Sequence, residues 1–66
     1  MTLQQKLETL DFDSTLVFTD TRTLTGYRVM RFSAKKLAVI NIMSGMVHYW
    51  TADVAAHCLD GMVVFA

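Results

Sequence analysis

"GYRVMRFSAKKLAVINIMSGMVHYW", residues 26–50, holds three apolar runs separated by two short breaks, and the way each break turns decides the fold. β-Branched and aromatic residues dominate the runs, so residues 26–33, 36–43 and 46–50 read as successive strands. Ala34-Lys35 and Ser44-Gly45 then read as two-residue hairpin turns, with glycine accepting the positive φ that such turns demand.

Two-residue turns fix a register. Arg28 falls opposite Asn41, Met30 opposite Val39 and Phe32 opposite Leu37; Asn41 in turn falls opposite His48, and Val39 opposite Trp50. One face then carries Tyr27, Val29, Arg31, Ala38, Ile40, Ile42, Val47 and Tyr49. The other carries Arg28, Met30, Phe32, Leu37, Val39, Asn41, Met43, Met46, His48 and Trp50. Both faces are mostly apolar, whereas a sheet with one wet face alternates cleanly. If either loop is longer by one residue, this face assignment breaks.

Outward on the N-terminal side, Thr2-Leu3-Gln4-Gln5 fits a capping box, with Leu3, Leu7 and Leu10 on one side of the helix that follows. Asp11, Asp13 and Ser14 compete for the backbone and end that helix near Asp11. Residues 15–21, TLVFTDT, read as a strand with Leu16 and Phe18 facing one way, turning near Thr21-Arg22. On the C-terminal side Thr51 caps a second helix, Asp53 sits in its positive first turn, and Gly61 stops it. Val54, Ala55, Cys58 and Leu59 form its apolar side, which makes Cys58 a small core residue. Residues 62–66, MVVFA, read as a short closing strand.

The expected fold is therefore a small α+β domain over residues 1–66, in the order α-β-β-β-β-α-β. An antiparallel four-stranded meander carries two short helices packed on one face, with a short C-terminal strand. The β-branched face with Val29 and Ile40 reads as the seat of the helices. The alternative, with the helices on the other face, makes Asn41 and His48 satisfied core residues.

Composition narrows the function. With 66 residues the chain buries only about 60% of its unfolded surface, yet 53% of its residues are hydrophobic and 18% charged, more apolar than a soluble domain commonly is. Part of that surface is expected to meet a partner. The longest uncharged run, residues 37–52, is broken by Asn41, Ser44, Gly45 and His48, too short and polar for a membrane helix. A lone Cys58 closes no intramolecular disulfide, and Gln4, Gln5, Lys6 and Glu8 interrupt any signal-peptide core, so the cytoplasm is the expected compartment. The net charge is zero but sorted: Arg22, Arg28, Arg31, Lys35 and Lys36 fall in one acid-free stretch.

Chemistry has few carriers. His48, His57 and Cys58 are the soft ligands or nucleophiles, and the chain holds no CxxC, HExxH or glycine-rich phosphate loop. Neighbouring residues on a helix diverge by about 100°, which separates His57 from Cys58. Neither an enzyme nor a cofactor or metal site is expected.

The leftover face resembles an interface in composition, since Met, Trp, Phe, Arg and His supply adaptable or anchoring contact area. The candidate interaction residues are Arg28, Met30, Phe32, Val39, Asn41, Met46, His48 and Trp50, with Arg28, Asn41 and His48 as a polar row across three strands. That row reads either as a rim bonded to water and backbone or as polar specificity within a docking patch. The expected partner is a second copy, a dimer foremost, or a larger target protein that the chain inhibits or adapts, as small proteins of phages and mobile elements do. The alternative is single-stranded nucleic acid, held by Arg28, Arg31, Lys35 and Lys36 with Phe32 and Trp50 as stacking platforms.

Overall fold

Local hydrogen bonds set the element boundaries. In the computed structural model, which describes the backbone of residues 1–65 and the side chains of residues 1–64, α1 spans Leu3–Glu8 and opens on the expected capping box. The Gln5 amide donates to Thr2 Oγ1 at 3.1 Å and the Thr2 amide to Gln5 Oε1 at 2.9 Å. Asp11 Oδ1 accepts from the Asp13 amide at 3.1 Å, which makes this aspartate a turn former at the helix exit. Then follow β1 (Thr15–Asp20), β2 (Thr25–Arg31), β3 (Leu37–Asn41), β4 (Val47–Trp50), α2 (Ala52–Leu59) and β5 (Val63–Phe65). The order is the expected one. The closing strand ends at Phe65 among the described residues, and its last expected residue, Ala66, lies outside them.

All five strands form one antiparallel sheet in the order β4-β3-β2-β1-β5. β2 is therefore the central strand, and β4 and β5 are the edges. β5 pairs with β1 through Val17↔Phe65, Phe18↔Val64 and Thr19↔Val63, so the closing strand belongs to the sheet.

Both expected two-residue turns are longer. Between β2 and β3 the Phe32 and Ser33 amides both donate to the Lys36 carbonyl, at 3.1 and 3.0 Å, leaving Ser33, Ala34 and Lys35 as a three-residue loop. One extra residue shifts the pairing by one, so Arg28 lies opposite Ile40 and Met30 opposite Ala38. Between β3 and β4 the Asn41 amide donates to the Met46 carbonyl at 2.9 Å and the loop has four residues. That shift of two keeps the face relation but places His48 opposite Val39 rather than Asn41. The one-residue slip turns β2 over relative to β3 and β4.

The β1–β2 loop repeats the β3–β4 loop. In each, a strand ends on an Asx residue whose Oδ1 accepts the backbone amide two residues on: Asp20 from Arg22 at 3.0 Å, Asn41 from Met43 at 3.0 Å. In each, the fourth loop residue donates back to the Asx carbonyl, Leu24 to Asp20 at 2.7 Å and Gly45 to Asn41 at 2.8 Å. That fourth residue is left-handed, with φ of 60° at Leu24 and 78° at Gly45. Glycine takes this conformation freely and leucine does not.

The core lies between the helices and one sheet face. Leu16 and Phe18 of β1, Val29 of β2, and Leu37 and Val39 of β3 pack with Leu7 of α1 and with Ala55 and Leu59 of α2. Leu3, Leu10, Tyr27, Trp50, Ala52, Ala56 and Met62 pack around them. The two helices touch each other, and α2 also contacts β3 and β4. On α2 the buried stripe is Ala55 and Leu59, while Val54 and Cys58 are exposed, which corrects the expected apolar side. Thr51 does occupy the N-cap position, yet its side chain caps no backbone amide: the hydroxyl donates to the Asp53 carboxylate instead.

Candidate functional site

Strand alternation leaves the second sheet face bare. Three rows of side chains cross it. The middle row runs Val17–Arg28–Ile40–Val47 through β1, β2, β3 and β4. On one side lies Thr15–Met30–Ala38–Tyr49. On the other, Val63, Thr19 and Gly26 lead to Ile42, whose amide donates to the Gly26 carbonyl at 2.9 Å. A Cβ on Gly26 would approach Ile42 Cδ1 to 3.2 Å, so the absent side chain lets the isoleucine lie across the strand.

Neither helix covers these residues, and several are exposed although apolar: Phe32 by 59%, Tyr49 by 51% and Ile42 by 49%, with Val47 and Val63 also open. Phe32 and Tyr49 pack ring against ring, centroids 4.6 Å apart and tilted 56°, at one end of the face. With side chains of roughly 150–250 Å² each, the bare apolar surface is on the order of 500 Å², toward the upper end of what a monomer exposes as one patch. Leu24, Met43 and Met46, also exposed, sit in or beside the two Asx turns at one end of the sheet.

The face carries one charge among its described side chains, the exposed Arg28. It stands on the central strand in the middle row, between Val17 and Ile40. Among the described residues its guanidinium makes no hydrogen bond and no ion pair; the salt bridge present is Arg22 to Asp20, 3.3 Å, in the β1–β2 loop.

The residues expected to act together are divided between the two faces. Arg28, Met30 and Phe32 lie on the open face. Val39 is core and Trp50 packs against the core on the helix side, because β2 is turned over relative to β3 and β4. His48 is exposed on that same side, stacked on Trp50 with ring centroids 4.9 Å apart and planes 13° apart. Asn41 is spent on its turn, its Oδ1 accepting from Met43 and Ser44. Met46 is exposed beyond the sheet end. No Arg28–Asn41–His48 row exists, and Ile40, Ile42, Val47 and Tyr49, expected under the helices, form the open face instead.

The nucleic-acid set is divided in the same way. Phe32 and Trp50 lie on opposite faces, Lys35 sits in the β2–β3 loop and Lys36 closes it. Arg31 is engaged from the helix side: its Nη2 donates to the Leu7 carbonyl at 2.6 Å and the Glu8 carbonyl at 3.1 Å, and Nε to the Leu10 carbonyl at 2.9 Å. These carbonyls lie at and just beyond the end of α1, where a cation is favoured, and that of Leu7 also accepts the Leu10 amide at 3.3 Å.

Concavities among the described residues lie outside the open face. A cleft of about 430 Å³ between α1, the β2–β3 loop and the start of α2 is lined by Glu8, Arg31, Lys35 and Asp53, balanced in charge. The Thr51 hydroxyl there holds the Asp53 carboxyl below its ordinary pKa. A smaller cavity of about 170 Å³ lies between Tyr27, Val39, Trp50, Cys58, Leu59 and Met62, below the usual size of a ligand pocket. Among the described residues no three of His, Cys, Asp and Glu gather as metal ligands would, and no helix is long and apolar enough to cross a membrane. In comparisons with known proteins, no family model, curated protein or solved structure matches the chain.

Proposed function

We propose that the chain is a non-enzymatic protein-interaction module whose working surface is the open sheet face. The observation that carries this reading is a five-stranded sheet with both helices on one side and the Phe32–Tyr49 pair, Ile42, Val47 and Val63 exposed on the other. A larger protein is the occupant this face fits, which gives the chain an inhibitor's or adaptor's role. The reducing cytoplasm suits its exposed, unpaired Cys58.

Self-association is the second reading. Two such faces together would bury on the order of 1,000 Å², the lower bound of a specific interface. The single-stranded nucleic-acid reading has less support, because Phe32 and Tyr49 pack on each other and Arg28 is the one cation on their face.

Val47→Asp and Tyr49→Asp test the reading at exposed positions. Both variants are expected to fold as the wild type does by circular dichroism. Bait capture from host cells, with mass spectrometric identification, should yield a protein held by the wild type and lost by both. Amide exchange with the purified pair should protect residues 28–32 and 38–42. A partner bound equally by both variants, or protected amides confined to the helices, refutes the proposal.

A further inference from the structure

Resting on the open face as the binding surface, we infer that its occupant is a foreign protein that presents a carboxylate within an apolar patch, and that Arg28 is the residue that reads it. Arg28 stands on the central strand, in the middle row, with Val17 and Ile40 on either side. Any partner that covers most of the face must cover this guanidinium. An apolar cover would strip its water and leave its donors unmet, which is costly for a buried cation. A carboxylate meets those donors with two parallel charge-assisted hydrogen bonds.

Among the described residues no acidic side chain stands on this face. The chain's six acids are Glu8, Asp11, Asp13, Asp20, Asp53 and Asp60. Glu8 and Asp53 lie on the helices, while Asp11, Asp13 and Asp60 lie in loops. Asp20, at the end of β1, points to the helix side of the alternation and binds Arg22. A second copy docked face to face would therefore bring another Arg28 and, among the described residues, no acidic side chain. This counts against a face-to-face homodimer, and the same charge gives a foreign partner its specificity.

The test is a phage-displayed library of apolar-rich peptides with every position free, selected on immobilised wild-type protein and on Arg28→Glu, Arg28→Gln, Val47→Asp and Tyr49→Asp. Unfolding midpoints first establish that each variant is folded. Expected are wild-type binders that share one Asp or Glu flanked by apolar residues and bind neither Val47→Asp nor Tyr49→Asp. Changing that acid to its amide should weaken binding to the wild type at least tenfold and to Arg28→Gln by less than twofold, and selection on Arg28→Glu should yield Lys or Arg at the same place. Binders that need Val47 and Tyr49 but show no acid preference overturn the role of Arg28 and leave the open face standing. Binders indifferent to Val47→Asp and Tyr49→Asp overturn both. An empty selection overturns the inference, and so does a solution mass of twice 7.5 kDa that Tyr49→Asp halves, since the occupant is then a second copy.

Discussion

Replacing Arg31 by alanine removes four hydrogen bonds at once, three to the carbonyls of Leu7, Glu8 and Leu10 that tie the exit of α1 to β2 and a longer one, 3.4 Å, to the Ser33 carbonyl. A hydrogen bond to a charged group contributes about 1.5–3 kcal/mol, and a cation at a helix end about 0.3–1 kcal/mol more. The contributions do not add in full, because Arg31 is half-buried and water can reach the carbonyls it leaves. A loss of about 2–3 kcal/mol follows, against a total stability of roughly 3–10 kcal/mol for a chain of this length. At about 4–8 °C per kcal/mol the melting midpoint falls by roughly 10–20 °C. Urea unfolding followed by circular dichroism measures the change, with the slope unchanged if only the native state is weakened. Arg31→Lys keeps the charge without the planar fork and should recover less than half of the loss. A loss under about 0.5 kcal/mol for Arg31→Ala, or full recovery with lysine, would refute the capping argument.

Three further outcomes rest on the Asx turns. Leu24→Gly relieves a left-handed leucine that costs about 1–2 kcal/mol, less the added chain entropy of glycine, for a net gain of about 0.5–1 kcal/mol. Gly45→Leu, the reverse change at the equivalent position, should lose about 0.5–1 kcal/mol, and matched shifts of the urea midpoint in the same direction would contradict the equivalence of the two turns. The Arg22 amide and guanidinium hold the Asp20 carboxyl below its ordinary value of 3.8. A depressed folded value means that this carboxylate contributes its full stability above the ordinary range and loses it as pH falls through the folded value. Asp20→Asn should therefore flatten the acid limb of a stability-against-pH profile, and an unchanged limb would remove Asp20 from it.

The element order was legible because capping and turn chemistry are local. Thr2 and Gln5 announce α1, Gly61 ends α2 with φ of 83°, and the apolar runs mark the strands. Face assignment is a different kind of information, since it depends on the parity of each loop. Ser33-Ala34-Lys35 looks like a break of any small length, and its third residue turned β2 over. Arg28, Met30 and Phe32 remained together because they lie on one continuous stretch of chain, whereas their expected mates Val39 and Trp50 went to the core. One signal was available. Asparagine is depleted in strands and favoured at turns, so Asn41 four residues before Gly45 marks the end of β3, just as Asp20 marks the end of β1.

The pairing of β5 with β1 has a kinetic meaning. β1 through β4 join neighbours across loops of three or four residues, whereas Thr19 meets Val63 only after roughly 40 residues of intervening chain have been arranged. With closure entropy growing as (3/2)RT ln n, that tenfold longer span adds about 2 kcal/mol to the initial cost of contact. The pairing gains nothing until β2, β3 and α2 have brought the two segments near each other. Order along the folding route is thus written into the topology: the meander can zip from turn to turn, while the far edge waits for the rest. Seen in reverse, β5 is the part whose detachment least disturbs what remains.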